Sequence, residues 1–111
     1  LATTLNDLGQ FYADQRKVEA ETYYNEAVNI YRQLADRYPD AFNLDVCTIA
    51  FNICVFYKKI SADSSDDTYR RKALELLDEV AERLSDFPRS IPIVQQYWGL
   101  HGYYKNYFEE K

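Results

Sequence analysis

Along most of this chain, apolar positions recur at steps of three and four, the spacing that lines up one face of an α-helix. Ala27, Val28, Tyr31, Leu34, Ala35 and Tyr38 step by one, three, three, one and three. Ala73, Leu74, Leu77, Val80, Ala81 and Leu84 repeat those steps. No segment alternates with a convincing period of two. The pattern predicts five helices, over roughly 2–14, 17–38, 43–60, 67–86 and 91–109, and an all-α fold.

Turn chemistry predicts the breaks. Tyr38-Pro39-Asp40 and Phe87-Pro88-Arg89 should end helices, because the residue before a proline is pushed out of the α region and proline has no amide to donate. Asn43 or Asp45 is expected to cap the third helix, and Ser65, Asp66 or Asp67 the fourth, by offering a side-chain oxygen to first-turn amides. The one strongly polar stretch, Ser61-Ala62-Asp63-Ser64-Ser65-Asp66-Asp67, reads as an enlarged turn between antiparallel helices.

A longer repeat overlies the helical one. Leu5-x-x-Leu8-Gly9-x-x-Tyr12, Ala50-x-x-Ile53-Cys54-x-x-Tyr57 and Gln95-x-x-Trp98-Gly99-x-x-Gly102 follow one another at intervals of 45 residues. The first two are each followed by a second amphipathic stretch, Ala20-x-x-x-Tyr24-x-x-Ala27 running to Pro39 and Ala73-x-x-x-Leu77-x-x-Val80 running to Pro88. A recurrence of this kind is the mark of stacked helical hairpins.

These residues resemble tetratricopeptide repeats, whose pattern is Trp-x-x-Leu-Gly-x-x-Tyr, then Ala-x-x-x-Phe, then Pro. Leu5, Leu8, Gly9, Tyr12, Ala20, Tyr24, Ala27 and Pro39 take those roles in the first unit. The 45-residue interval is similar to that of long-period members such as kinesin light chain-like arrays. Cys54 and Gly102 depart from the pattern, standing where Gly and Tyr are usual.

The resemblance implies a right-handed superhelix of antiparallel hairpins of about two and a half repeats, at about 1–42, 43–89 and 90–111 of a single domain. Gly9 and Gly99 would let paired helices approach closely. The last unit is either a cap or a repeat cut short, and its rings at Tyr97, Trp98, Tyr103, Tyr104, Tyr107 and Phe108 favour the latter. With no Met and an opening in mid-pattern, the chain reads as a piece of a longer protein.

In such arrays the first helix of each hairpin lines a concave groove that takes a peptide. Turning the wheel away from the repeat anchors brings up Thr3, Asn6, Gln10 and Ala13, then Thr48, Phe51, Val55 and Lys58, then Ile93, Gln96, Leu100 and Tyr103. Phe51, Val55 and Leu100 could equally finish the core. Members that grip a terminal carboxylate use several basic side chains there. Only Asn6 and Lys58 correspond, which disfavours an acidic peptide tail.

Composition narrows the rest. Hydrophobic residues make up 47% and Gly and Pro number only three each, which is a folded and not a disordered chain. With 13 basic against 18 acidic residues and a net charge of −5, nucleic acid is disfavoured as a partner, since that binding rests on neutralising phosphates. No apolar run approaches the ~20 residues that span a bilayer, so no membrane association is expected.

Cys47 and Cys54 are seven residues apart, roughly 10.5 Å along a helix, which is beyond disulfide reach. They are expected as buried fillers in a reducing, cytoplasmic setting.

The single His101 has no sequence partner for catalysis or metal binding. Asp63, Asp66 and Asp67 lack the spacing, glycine and terminal Glu of a calcium loop. The acids at Glu19, Glu21 and Glu26 and at Glu75, Asp78, Glu79 and Glu82 read as solvated helix faces.

No phosphate loop, nucleophile elbow or zinc pattern occurs, so neither catalysis nor a cofactor or metal is expected. The expectation is a protein-binding scaffold for a peptide or protein segment. Two alternatives stand beside it: a regulatory or sensor segment of a larger multidomain protein, and a module that self-associates through its aromatic C-terminal helix.

Overall fold

The computed structural model describes residues 2–6, 17–61 and 67–110. Among these every regular element is helical: a short stretch at 2–6 (α1), α2 Lys17–Arg37, α3 Pro39–Ser61, α4 Thr68–Leu84 and α5 Pro92–Glu109. Each of α2 to α4 packs on the helix that follows it, and α3 also touches α5.

Side-chain pairs give the directions. Tyr24 meets Phe56 and Tyr31 meets Phe42, so α2 and α3 run antiparallel. Asn43 meets Arg83 and Tyr57 meets Tyr69, so α4 returns along α3. Thr48 meets Tyr97 and Lys58 meets Tyr103, so α5 lies parallel to α3. Two layers result, α3 with α5 and α2 with α4.

The α3 helix is the core. Twelve of its 23 residues are buried, including Val46, Ile53, Phe56 and Tyr57, because α2, α4 and α5 cover it from three sides. This qualifies the expectation that no apolar run is long enough to span a bilayer. By length and composition α3 is long enough, but its apolar surface is occupied by the neighbouring helices.

Several boundaries differ from the sequence expectation. Pro39 does not hold α2 and α3 apart by a loop; it is the first residue of α3, and Tyr38 alone separates them. Proline suits that position because its missing amide would have no helical acceptor and its fixed φ is already helical. The Tyr38 amide donates to Leu34 O (2.8 Å), closing α2, and its carbonyl accepts from Ala41 and Phe42 N (both 3.1 Å), opening α3. Asn43 and Asp45 are therefore not caps; both lie within α3.

Asp67 does precede α4, but its side chain makes no capping bond. Ser65 and Asp66 lie outside the described residues, as do Asp63, Leu8, Gly9, Gln10, Tyr12 and Ala13. Pro92 opens α5 as Pro39 opens α3. The close approach expected at Gly99 is absent, for a Cβ built there meets nothing within 4 Å.

Both cysteines are buried and unbridged. Cys47 lies on the Val80 carbonyl, with Sγ to O 3.9 Å. Burial pushes each thiol up to about 12, so the thiolate that reacts is scarce at neutral pH. We expect neither to react with an aromatic disulfide reagent at about pH 8 until urea unfolds the chain; prompt modification of the folded protein would contradict this packing.

Candidate peptide-binding face

The α3–α5 layer presents one continuous face. Thr48, Phe51, Val55 and Lys58 follow steps of three, four and three on α3, so they stand in one row. On α5 the opposing row holds Tyr97, Leu100, Tyr103, Tyr104 and Tyr107.

The rows lock together by specific contacts. Thr48 Oγ1 lies 3.0 Å from Leu44 O and 2.5 Å from the Tyr97 hydroxyl. A threonine has one proton to give. It donates that to Leu44, so Tyr97 donates to Thr48.

One turn on, the Phe51 ring is buried, 6% exposed, beneath Tyr97 edge-on at 5.3 Å and Tyr104 at 6.2 Å between centroids. Phe51 thus supports the face from below. The surface is made by Val55 and Tyr103, 39% and 53% exposed.

Lys58 is the cation of this face. Its Nζ donates to the Tyr103 hydroxyl at 2.7 Å and lies 5.0 and 4.8 Å from the Tyr103 and Tyr107 ring centroids. The Tyr103 hydrogen bond, aided by nearby tyrosines, raises its pKa above the ordinary lysine value. Because Tyr103 Oη accepts from Lys58, its own proton remains to be donated outward. An ammonium and a phenol donor therefore sit together on an exposed aromatic surface.

The remaining sequence candidates lie partly on and partly off these rows. Gln96 is exposed, one turn before the half-buried Leu100 of the α5 row. Thr3 is exposed but bonded to the Tyr31 hydroxyl of α2 (3.0 Å). Asn6 is half-buried, and its Oδ1 has no partner among the described residues. Tyr97, Tyr104 and Tyr107 were not assigned to this face from sequence, although Tyr107 lies one turn from Tyr103.

The opposite layer corrects a second reading. Glu79 is no solvated surface acid. Arg32 donates to it in bidentate fashion, Nε to Oε2 2.9 Å and Nη2 to Oε1 2.5 Å, and Arg83 Nε reaches Oε2 at 3.0 Å. Arg83 Nη1 continues to Oδ1 of the buried Asn43 at 2.6 Å.

Burial alone would raise the Glu79 carboxyl, but the two guanidiniums outweigh it and hold its pKa below the usual value. Glu21 likewise leaves the solvated set, accepting from Tyr57 Oη (2.8 Å) and Lys72 Nζ (3.0 Å). Together these pairs join α2 to α4.

His101 packs edge-on against Trp98 at 5.5 Å. Burial lowers its pKa, so the neutral imidazole is favoured at neutral pH. Arg89 covers Trp98 at 4.3 Å.

Among the described residues no group of His, Cys, Asp and Glu is arranged to hold a metal ion.

No family model, curated protein or solved structure matches this chain.

Proposed function

We propose that the chain is a scaffold of the tetratricopeptide type, its hairpins coiled into a right-handed superhelix, and that it holds a peptide or protein segment along the α3–α5 face. The observation that carries this reading is the Lys58–Tyr103 pair. These residues are 45 positions apart, the interval of the sequence repeat, and they stand side by side at 2.7 Å on helices that would be equivalent in successive hairpins.

The face suits a peptide chemically. Tyrosine rings offer large contact area at low entropic cost, while the Tyr103 hydroxyl and Lys58 ammonium offer donors to peptide carbonyls.

A displayed peptide library selected against the folded chain tests this. Selected binders should lose about thirtyfold or more in affinity with Tyr103→Ala, the scale of a tyrosine hot spot, and weaken with Lys58→Glu. Glu26→Gln, on the other layer, should leave affinity within about twofold. Binders indifferent to both α5 and α3 substitutions would sink the reading.

A second reading has one observation in its favour. Ile93, 39% exposed, and Tyr103, 53% exposed, lie on one helical stripe of α5, which a second copy could cover. Light scattering over a concentration series separates the two. A mass that doubles with concentration and stays single in Tyr103→Ala supports self-association through α5.

A further inference from the structure

Hydrogen-bonding capacity on the α3–α5 face is unevenly spent. The Lys58 ammonium gives one proton to the Tyr103 hydroxyl, and its others have no oxygen acceptor among the described residues. Tyr103 Oη is taken as an acceptor by Lys58 and keeps its own proton to give. At the far end of the row Thr48 gives its proton to Leu44 and accepts from Tyr97. The exposed centre of the face, around Lys58 and Tyr103, thus has protons to spare and its shared hydroxyl oxygen already occupied. Gln96, the exposed amide of the same α5 stripe, lies seven residues before Tyr103, roughly 10.5 Å along the helix.

That imbalance selects among peptides. An ordinary extended segment brings one N–H for every carbonyl, and an N–H buried against a surface without acceptors is costly. A helical segment satisfies its own main chain and leaves the Tyr103 proton without a carbonyl. Proline alone among residues brings a main-chain carbonyl and no N–H.

Spacing favours the same occupant. Leu100, Tyr103 and Tyr107 step by three and four, so they share one stripe of α5. Leu100 and Tyr107 are half-buried and flank the exposed Tyr103 at seven residues from each other, roughly 10.5 Å along the axis. A polyproline II helix repeats every three residues, about 9.3 Å, so successive prolines on one of its edges meet the Leu100 and Tyr107 sides of Tyr103. Both partners are preset. The Thr48–Tyr97 and Lys58–Tyr103 bonds hold the rings, and polyproline II exists before binding, so little freedom is lost on docking.

We propose that the α3–α5 face takes a proline-rich segment in the polyproline II conformation. The proposal rests on that face being the docking face and names its occupant. Proline rings lie against Val55, Leu100 and Tyr107, while main-chain carbonyls accept from the Tyr103 hydroxyl and the Lys58 ammonium.

The probe is a short fluorescein-labelled peptide of repeating Pro-Pro-Ser, read by anisotropy against its Ala-Ala-Ser counterpart, which restores the amides. The proline peptide should bind about tenfold more tightly or better. Tyr103→Phe keeps the ring and removes only the donated proton, and should weaken the proline peptide about fivefold, the scale of one hydrogen bond. Lys58→Met should weaken it to a similar degree, and Glu26→Gln, on the other layer, should stay within about twofold.

Equal binding of the two peptides would overturn the proposal, as would a Tyr103→Phe variant that binds like the parent. No binding by the parent at ~1 mM would do the same. The displayed library separates this failure from that of the docking face. Selected binders that need Tyr103 but are helical or carry no proline overturn the occupant and leave the face standing. Binders none of which needs Tyr103 overturn both.

Discussion

Phe56→Ala is expected to remove about 4 kcal/mol of folding stability, read as a large fall in the urea midpoint with little change in slope. Phe56 is 1% exposed, in the C-terminal half of α3. Its ring packs against Tyr24 of α2 at 5.6 Å and against Tyr57 at 5.8 Å. Truncation leaves a cavity that three covering helices cannot close without breaking their own contacts.

A domain of this size has about 5–15 kcal/mol in all, so the variant should sit near the edge of folding. Val55→Ala, at the neighbouring position but 39% exposed, should cost about 1 kcal/mol or less. Comparable losses at the two positions would mean that α3 is rotated from the orientation described.

The second large effect is expected at Glu79. Glu79→Ala leaves Arg32 and Arg83 without their shared carboxylate and weakens the hold of Arg83 on buried Asn43. The Glu79 side chain is 22% exposed and its arginine partners 33% and 19%, between the surface pairs worth under ~1 kcal/mol and the buried ones whose rupture costs ~3–5. A loss of about 2 kcal/mol follows, measurable by chemical denaturation.

Its pH dependence has a fixed sign. The folded-state pKa of Glu79 is lowered, so the folded form binds that proton less readily than the unfolded chain. The contribution is complete above the unfolded carboxyl pKa of about 4.3 and is lost as pH falls through the folded value. Glu79→Gln should thus be less stable than the parent at neutral pH and approach it in acid. A gap that stays constant down to about pH 3 would count against the network.

His101 acts in the same direction at higher pH. Its folded pKa is lowered, first by burial, so its share is full above about 6.5 and declines below.

Much of the fold was legible because helical periodicity is a local property. The stripe Ala73, Leu77, Val80 and Leu84 is the buried face of α4, and Ala27, Val28 and Ala35 are buried on α2. Pro39 opens α3 where the sequence suggests only a helix end, because proline both ends helices and begins them and the residues around Tyr38-Pro39-Asp40 do not distinguish the two. Phe51 was ambiguous for another reason. With apolar residues on almost every side, α3 has no single apolar face, and its exposed row depends on where α5 lies.

The charged residues divide most clearly. Glu75, Glu79 and Glu82 are one residue type on one helix. Only Glu79 is held by two arginines, one of them 47 positions away, whereas Glu82 is left facing a cleft with Asp36 and Asp86.

By itself the sequence determined that the chain forms helices and where most of them run, because spacing along one chain dictates which side chains share a helix face; that Lys58 stands beside Tyr103 is a contact between two helices. Only the tertiary structure decided which of those faces are covered and which acid is paired. Those outcomes depend on partners distant in sequence, brought within bonding distance by the burial of α3.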